Sequence, residues 1–239
     1  IALLFIITTS LAAEKKSSFK SDQAFQRAAE ISVEVFFQKA EFLNPKLSRD
    51  GKFVAFLARA GEMLNLFVLD LEARRVQQLS NFDQYDVGNF AWVGERRLVF
   101  GISEESYGVG GAYAIDADGK RFRTLSDNLQ TQRNANKGSL QWGFLEIQAL
   151  AAEPSDHVLM EIYDTNKNLG EPDVFRVNTI TGKRSLVFDN PGDLYGWLPD
   201  HTGQVRIALR LKGYRQIVLH REKDFEPWEQ LAEFDVRDG

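Results

Sequence analysis

The stretch Asn44-Pro45-Lys46-Leu47-Ser48-Arg49-Asp50-Gly51-Lys52-Phe53-Val54-Ala55-Phe56 sets the pattern on which the fold depends. A short strand leads into the polar turn Ser48 to Gly51, and a strand rich in apolar residues follows at once. Two further strand-like runs, at Leu64 to Leu71 and Val76 to Ser80, complete a unit of four. The stretch therefore predicts one small antiparallel sheet.

The same four-stranded unit recurs three more times along the chain. The later copies cover Asn89 to Ser126, Phe144 to Phe188 and Leu194 to Phe234. The turns before the second strand of each unit, at Gly51, Gly94, Asp156 and Gly203, are separated by 43, 62 and 47 residues. The long middle interval contains the polar, aperiodic residues Asp127 to Gly138, which we interpret as an inserted surface loop.

Four-stranded units at intervals of about 40–50 residues are typical of β-propeller blades, which pack face to face around a channel. The predicted fold class is all-β: a β-propeller with about four blades visible, part of a larger ring. Blade boundaries are expected near residues 42, 86, 140 and 192. A β-sandwich is the main alternative. The propeller is favoured because Asp50-Gly51, Asp118-Gly119 and Thr181-Gly182 are interpreted as turns at the same place in each unit.

The fourth unit is expected to end an open arc of blades. With no neighbour on its far side, it would leave apolar residues without a partner there, such as Val205, Ile207, Ile217 or Val218. Exposed apolar area of this kind favours association between molecules.

The first residues are apolar, but the run is short. Ile1 to Ile7 is unbroken, and the small residues Ser10, Ala12 and Ala13 follow. A secretory signal needs about 7–15 apolar residues, whereas a membrane span needs roughly 20. We therefore predict that residues 1–13 are a signal peptide remnant, that the protein is exported to the periplasm or secreted, and that it has no stable membrane span. An apolar segment of the fold is the alternative. Because no Met or basic segment precedes the run, we expect the sequence to be a fragment.

Residues 14–41 are expected to form a helical segment that leads into the propeller. Between Ser21 and Lys39 apolar residues recur at helical spacing, with Asp22 as a cap. From residue 42 to residue 239 the short β-strand pattern replaces the helical one. The predicted domains are therefore 1–13, 14–41 and 42–239.

The composition excludes several classes of function. The chain has 239 residues, of which 44% are hydrophobic, so it can bury a sizeable core. It contains no cysteine, which excludes disulfides, thiolate metal sites and a cysteine nucleophile. Lys and Arg number 29 against 34 Asp and Glu, and no basic stripe stands out, so nucleic acid is not an expected partner.

The segment Val35-Phe36-Phe37, followed by Pro45 to Phe56, resembles the opening blade of the prolyl oligopeptidase family of serine peptidases, especially its bacterial dipeptidyl and acylaminoacyl peptidase-like members. The family's turn usually reads Ser-Pro-Asp-Gly, and Arg49 replaces its Pro here. Further matches follow in the family's order, at Asn65 to Val68, Ala114 to Gly119, Gly196 to Asp200 and Gly203 to Arg206. The resemblance covers about Val35 to Asp235. Exported TolB-like propellers share the Ser-x-Asp-Gly turn.

The resemblance implies that catalysis lies elsewhere. Members of the family carry the nucleophile in a Gly-x-Ser-x-Gly elbow on a C-terminal α/β-hydrolase domain, followed by Asp and His. This sequence contains no such elbow, so we assign no catalytic, cofactor-binding or metal residue and expect no cofactor. Gly108-Val109-Gly110-Gly111 lacks a serine and a following helix, and we interpret it as a loop between strands. The implied partners are the hydrolase domain of the same polypeptide and a peptide substrate.

Isolated polar residues do not predict a metal site either. His157, His201 and His220 lack the i, i+4 spacing of a helical zinc site and are interpreted as surface or strand-end residues. Asp116-Ala117-Asp118-Gly119 superficially resembles a calcium loop, but Lys120 stands where an oxygen ligand is needed. We interpret this segment as a turn.

Glu104-Glu105 is a candidate substrate-binding pair, because some members of the family hold the free amine of a substrate with a glutamate pair of the propeller. The glutamate pair of this sequence does not lie at the position that the resemblance implies. We therefore favour the interpretation that Glu104 and Glu105 belong to a solvated loop. The tryptophans are expected to pack between blades: Trp92, Trp142, Trp197 and Trp228.

Two functions remain open at this stage. In the first, the propeller gates access to a peptidase domain beyond Gly239, admitting oligopeptides and excluding folded proteins. In the second, the chain is a TolB-like periplasmic propeller that acts as a binding or scaffold module. A Gly-x-Ser-x-Gly-Gly motif downstream, with later Asp and His, would distinguish the two.

Overall fold

The computed structural model describes residues 41–103, 110–135, 140–146, 156–167 and 171–237. Within these residues sixteen strands form four antiparallel sheets of four, and every sheet keeps its strands in chain order. This is the all-β architecture of four propeller blades that the repeats predict. The predicted signal remnant, 1–13, and the predicted helix from Ser21 to Lys39 lie outside the described residues.

We call the four sheets blades 1 to 4. Blade 1 contains β1 (Leu43–Leu47), β2 (Phe53–Ala60), β3 (Met63–Asp70) and β4 (Arg75–Gln78). Blade 2 contains β5 (Asp86–Val93), β6 (Arg97–Ser103), β7 (Ala112–Asp116) and β8 (Arg123–Ser126). Blade 3 contains β9 (Gln141–Glu146), β10 (His157–Asp164), β11 (Asp173–Asn178) and β12 (Arg184–Phe188). Blade 4 contains β13 (Leu194–Pro199), β14 (Val205–Lys212), β15 (Arg215–His220) and β16 (Glu229–Asp235).

Each blade has two ends, which we name by the connections they carry. The lower end carries the turns between first and second strands and between third and fourth strands. The upper end carries the turns between second and third strands and the connections between blades. The lower ends of neighbouring blades are in contact: Gln77 Nε2 donates to the Asp118 carbonyl at 3.3 Å, and Arg176 donates to the Gly203 carbonyl at 3.1 Å. The four blades are therefore arranged in the same orientation.

Three apolar clusters join the blades, one at each seam between neighbours. The seam between blades 1 and 2 is rich in large side chains, among them Phe53, Leu66, Phe90, Phe100 and Tyr113. The seam between blades 2 and 3 is built from smaller ones, among them Ala91, Val99, Ala112, Ala114 and Val177. The seam between blades 3 and 4 contains, among others, Val174, Phe188, Leu194, Trp197 and Ala208. No apolar core cluster of the described residues joins blade 4 to blade 1.

The connection between blades 2 and 3 differs from the predicted surface loop. Its residues 129–134 form a short helix, α1 (Leu129–Asn134). The Asn128 side chain caps this helix by accepting a hydrogen bond from the Thr131 amide at 2.7 Å. Gln132 is buried, and its side chain accepts the Gln141 amide at 2.8 Å. The loop interpretation was wrong for residues 129–134. The buried side chain of this helix is the polar Gln132, so the sequence shows no apolar residues at helical spacing there.

Two further predictions are corrected. The first strand of blade 3 is Gln141–Glu146, three residues before the predicted start at Phe144. The turn Asp50-Gly51 joins the first two strands of its blade, whereas Asp118-Gly119 and Thr181-Gly182 join the last two. The three turns lie at the lower end of their blades, but they do not occupy the same position in the repeat. A turn that contains a glycine with positive φ can join the first two strands of a blade or the last two.

The outward face of blade 4 is apolar, but it contains only part of the predicted set. Ile207 and Val218 belong to it, since they pair in register with residues of that face. Val205 and Ile217 are buried against blade 3 instead. A register irregularity between Leu198 and Pro199 shifts Val205 to the opposite face, which simple alternation does not predict. Among the described residues no helix has the length and apolarity to cross a bilayer.

Candidate functional site

The turn Gly94-Glu95-Arg96 forms one wall of a cleft at the lower end of the molecule. Gly94 has φ +65°, the left-handed region that favours glycine, so the chain reverses tightly before β6 begins at Arg97. The cleft has a volume of about 360 Å³ and opens to solvent between blades 2 and 3. Its lining is mostly charged: Val93, Gly94, Glu95, Arg96, Arg97, Arg121 and Asp156.

Arg97 is the buried member of this lining. Only 5% of its side chain is exposed, and Nη1 donates to the Asp116 carboxylate at 2.5 Å. Nε donates to the Thr179 hydroxyl at 3.1 Å, and Nη2 to the Thr179 carbonyl at 2.5 Å. Nη2 also donates to the carbonyl of Arg121 at 3.1 Å. Because Thr179 belongs to blade 3, this guanidinium joins blades 2 and 3 at their lower rim.

Asp116 is held by a second guanidinium, that of Arg121. The Arg121 Nε donates to Asp116 Oδ2 at 2.6 Å, so one carboxylate receives two arginines. The hydrogen bond to Asp116, with its charge, raises the pKa of Arg121. A buried charge is tolerated only when it is paired and hydrogen-bonded, and Asp116 meets that condition for Arg97.

These hydrogen bonds and ion pairs limit the chemistry that is available in the cleft. The Arg97 guanidinium is fully used by its bonds to Asp116, Thr179 and the Arg121 carbonyl, which we call the Arg97 latch. The groups that remain beside the opening are the more exposed Arg121 side chain and the acidic Glu95 and Asp156. The cleft therefore fits a structural joint with a polar rim.

A second polar group lies inside the seam between blades 3 and 4. Trp197 Nε1 donates to Glu161 Oε1 at 2.7 Å, and the Tyr163 hydroxyl donates to Glu161 Oε2 at 3.1 Å. Burial, together with the charge of Glu161, raises the pKa of Tyr163. Tyr163 therefore stays protonated and acts as a donor, and Glu161 links the two blades through Trp197.

Buried serines support turns and strands. The Ser48 hydroxyl donates to Asp50 at 2.7 Å, and the Ser80 hydroxyl donates to Asn65 at 2.8 Å. Ser126 accepts the Gly143 amide at 2.8 Å across the seam between blades 2 and 3. Each of these contacts holds backbone in place, which is the role expected of a propeller scaffold.

The three histidines are not brought together. His157 opens β10 and its Nε2 lies 3.3 Å from Asn178 Nδ2, while His201 is exposed in a turn of blade 4. His220 ends β15, with Nε2 3.9 Å from a Glu222 oxygen. Within the part of the chain that the structure describes, no group of three or more His, Asp or Glu residues could hold a metal ion.

The segment Asp116 to Gly119 is a turn, as expected. Asp116 is engaged by arginines, Asp118 accepts the Lys120 amide at 3.0 Å, and Gly119 has φ +79°. In the glycine-rich segment, Gly111 has φ +108°, and an added Cβ would lie 3.1 Å from Ile102 and 3.2 Å from Asn128. Gly111 thus permits close packing beside β6. Gly108, Val109, Glu104 and Glu105 lie outside the described residues.

Three of the four tryptophans lie at seams, as predicted. Trp92 donates from Nε1 to the Lys46 carbonyl of blade 1 at 2.9 Å, and Trp197 bonds to Glu161 of blade 3. Trp228 packs on the cluster between blades 3 and 4, with the Arg221 guanidinium 4.5 Å from its ring. The side chain of Trp142 is outside the described part.

The sequence reasoning missed the arginine latches. Arg97 and Arg221 are both buried, and both donate to carbonyls of a neighbouring blade. A signal existed for Arg97, because a charged residue opens the otherwise apolar run Leu98-Val99-Phe100. Its partner Thr179, 82 residues away, could not be inferred.

No protein-family model matches the sequence, and no curated protein matches it. Among solved structures, a prolyl endopeptidase matches with 14% identity and a TM-score of 0.55, covering 93% of this chain and 35% of that protein. Pyrococcus horikoshii acylaminoacyl peptidase has 11% identity and a TM-score of 0.47, with 81% and 32% covered. TolB from Acinetobacter baumannii has 12% identity and a TM-score of 0.38, with 83% and 42% covered.

At these identities the prolyl endopeptidase likeness shows the fold alone: this chain is built of β-propeller blades. The chain spans less than half the length of each of the three structures.

Proposed function

We propose that this chain is the substrate-gating propeller portion of an exported serine peptidase that acts on oligopeptides. The observation that carries the proposal is the overlap of 93% of the chain with 35% of a prolyl endopeptidase at a TM-score of 0.55. The ordered sequence matches from Val35 to Asp235 support the same family. Its implied partner is a C-terminal α/β-hydrolase domain of the same polypeptide.

The way in which the blades are joined supports the gating role. Packed seams and buried latches, such as Arg97 to Thr179, resist separation of neighbouring blades. A ring of such blades leaves an axial passage bordered by the first strand of each blade. Asn89, Gln141 and Tyr195 on these strands are exposed and offer polar groups to an extended peptide. A folded protein cannot pass between blades that stay joined.

Export is the part of the proposal that rests on residues 1–13. Their apolar run and small-residue end match a cleavable signal. Expression in a bacterium, followed by N-terminal sequencing of the periplasmic fraction, should give a mature chain that begins at Ala13 or Glu14. Retention of Ile1 in a cytoplasmic product would contradict export and leave the propeller assignment unaffected.

The second candidate is a TolB-like binding or scaffold propeller without an attached enzyme. It is favoured by the turn Ser48-Arg49-Asp50-Gly51, since TolB-like propellers share the Ser-x-Asp-Gly pattern.

One experiment separates the two candidates. The reading frame is followed past the codon for Gly239, and its whole product is treated with a fluorophosphonate probe beside the 239-residue chain. We expect one labelled serine, in a downstream Gly-x-Ser-x-Gly elbow, and loss of labelling on its change to alanine. The 239-residue chain should stay unlabelled. A reading frame without the elbow supports the scaffold candidate, and stoichiometric labelling within residues 13–239 contradicts the peptidase proposal.

The gating step has its own test. The full-length product without the probe should hydrolyse a chromogenic oligopeptide and leave intact a folded protein that contains the same peptide sequence. Equal cleavage of folded and peptide substrates would contradict gating.

A further inference from the structure

Positive charge is concentrated where the fourth strand of a blade begins, at the lower end and on the edge farthest from the first strand. In blades 1, 2 and 3, the turn before the fourth strand and the first residue of that strand are residues 71–75, 117–123 and 179–184. These segments contain seven Lys and Arg and two acidic residues, Glu72 and Asp118. The chain as a whole has a net charge of −5, so the positive charge is local. We call the three segments the basic rim.

The fold joins the three segments into one continuous rim. Gln77, on the fourth strand of blade 1, donates from Nε2 to the Asp118 carbonyl of blade 2 at 3.3 Å. Arg123, on the fourth strand of blade 2, donates from Nε to the Ile180 carbonyl of blade 3 at 3.0 Å. Each fourth strand thus contacts the equivalent turn of the next blade. Because the segments are far apart in the sequence, the chain shows no basic stripe before it folds.

Several cations of the rim are available to a partner. The side chains of Arg74, Arg75 and Lys183 are exposed, and they form no hydrogen bond or ion pair with the described residues. Arg123 is also exposed and uses Nε for its bond to blade 3, which leaves its two terminal nitrogens facing the rim. These four side chains come from three successive blades and lie at the same level.

The other three cations are partly engaged within the protein. Lys120 pairs with Asp118 at 3.2 Å, and both side chains are more than half exposed. Arg121 is bound to the buried Asp116 but keeps 58% of its side chain exposed. Arg184 donates to a carbonyl of blade 2 at 2.6 Å, and burial lowers its pKa. An exposed ion pair such as that of Lys120 opens readily when another anion approaches.

Apolar side chains lie among the cations. Phe122 is 51% exposed, and its ring stacks on that of Tyr113 with centroids 5.7 Å apart, which holds it at the surface. Leu71, in the equivalent turn of blade 1, is 41% exposed. Cations interleaved with exposed apolar side chains suit an anionic bilayer, where the cations meet phosphate groups and the apolar side chains enter the boundary between headgroups and acyl chains.

We propose that the basic rim binds the surface of a lipid bilayer that contains anionic phospholipid. Charge complementarity carries the proposal, because cations of three successive blades lie at one level and can meet an extended surface together. Blade 4 does not continue the rim. Its corresponding residues, 221–229, contain four acidic residues and two basic ones. The rim therefore ends at blade 3, and blade 4 provides control positions.

Sedimentation with vesicles tests the proposal. The protein, expressed from its whole reading frame, is mixed with vesicles of equal parts phosphatidylglycerol and phosphatidylcholine, or of phosphatidylcholine alone. Binding to the first should be at least about tenfold tighter, since each Lys or Arg near an anionic surface contributes about fivefold. Raising NaCl from about 0.1 M to about 1 M should release the protein, because the Debye length falls from about 10 Å to about 3 Å. Equal binding to both vesicles, or binding to neither, would overturn the proposal.

Matched charge reversals locate the contact. Arg75→Glu with Lys183→Glu should weaken binding to the phosphatidylglycerol vesicles by at least about tenfold. The control Lys212→Glu with Lys223→Glu makes the same change of net charge at two exposed lysines of blade 4 and should weaken binding by no more than about twofold. Circular dichroism confirms that both double variants fold. Equal weakening by the two would show an effect of net charge alone and would overturn the assignment of the rim.

Two further measurements distinguish a bilayer from an acidic protein. Phe122→Ala should weaken vesicle binding by at least about threefold, because it removes apolar surface that the bilayer covers. Polyglutamate, at a carboxylate concentration equal to that of phosphatidylglycerol, should not displace the protein. Full displacement, or no effect of Phe122→Ala, would assign the rim to an acidic protein and contradict the lipid.

The apolar run at residues 1–7 could bind vesicles by itself, and the same measurements identify that case. Binding through this run would persist at about 1 M NaCl and in Arg75→Glu with Lys183→Glu, because it does not depend on charge. That result would overturn the proposal. None of these outcomes depends on whether a peptidase domain exists, so they are distinct from tests of the proposed function.

Discussion

The seam between blades 1 and 2 and the seam between blades 2 and 3 join similar sheets with different residues. The first is filled by large side chains, including Phe90 and Phe100, which are fully buried. The second is lined by alanine and valine, and at its rim the Arg97 latch and the bond from Arg184 to the Leu125 carbonyl cross between blades. A polar contact also crosses the first seam, from Trp92 to the Lys46 carbonyl, but only the second has the buried Arg97 guanidinium with its two bonds to Thr179.

The two seams therefore depend on different kinds of contact. The first depends on filled volume, because a removed ring leaves a cavity that a stiff sheet cannot collapse into. The second depends on complete hydrogen bonding of buried polar groups, because an unpaired partner keeps its full desolvation cost.

The largest effect is expected from emptying the first seam. Phe100→Ala should lower the free energy of unfolding by about 4 kcal/mol, since a fully buried ring is replaced by a cavity. Urea unfolding followed by tryptophan fluorescence measures the loss. The control Phe122→Ala removes a ring that is 51% exposed and should cost less than about 1 kcal/mol. Similar losses of stability for Phe100→Ala and Phe122→Ala would mean that filled volume is not what stabilises the first seam.

The next largest effect is expected from breaking the latch of the second seam. Arg97→Met should lower the free energy of unfolding by about 3 kcal/mol, because Thr179 and Asp116 lose buried donors. The double variant Arg97→Met with Asp116→Leu also removes the carboxylate that has lost one of its two arginines, and it should recover part of the loss. Thermal unfolding of the single and double variants provides the measurement. A double variant less stable than the sum of both single changes would contradict this explanation.

A smaller effect is expected from the polar contact of the first seam. Trp92→Phe keeps most of the ring but removes the bond from Nε1 to the Lys46 carbonyl. The loss should be about 1 kcal/mol, the ordinary net value of one hydrogen bond. Urea unfolding under the same conditions compares it directly with Arg97→Met. A loss as large as that of Arg97→Met would remove the distinction between the seams.

The smallest effect is expected in a turn that belongs to neither seam. The hydrogen bond from the Ser48 hydroxyl holds the pKa of Asp50 below the ordinary value of an aspartate, 3.8. A carboxyl with a depressed pKa contributes stability above its unfolded pKa, and that contribution is lost as pH falls through the folded pKa. Ser48→Ala should raise the pKa of Asp50 toward 3.8, as followed by NMR titration of the carboxyl carbon. An unchanged pKa would show that Ser48 is not the cause.

Much of the fold could be predicted from the sequence. The strands were predicted from short apolar runs and glycine turns, and the blades begin at Leu43, Asp86, Gln141 and Leu194, close to the boundaries expected near 42, 86, 140 and 192. This agreement has a physical basis: turn residues and alternation are local properties, and each unit repeats them.

The parts that could not be predicted depend on contacts between distant residues. Helix α1 depends on Gln132 meeting the first strand of blade 3, and the Arg97 latch depends on Thr179 in the next blade. The faces of blade 4 depend on a register irregularity at Leu198 and Pro199. None of these contacts leaves a periodic pattern in the sequence.

Within the described residues, neighbouring blades cover blade 2 on both faces and blade 4 on only one, as in an open arc of blades. Hydrogen exchange of the 239-residue chain, measured at a concentration low enough to keep it monomeric, tests this arrangement most directly. The amides of β6 and β7 should exchange at least about tenfold more slowly than those of β14 and β15, because strands with one uncovered face open more readily. Equal protection of the two pairs of strands would contradict the open arc and would mean that the ring closes with four blades.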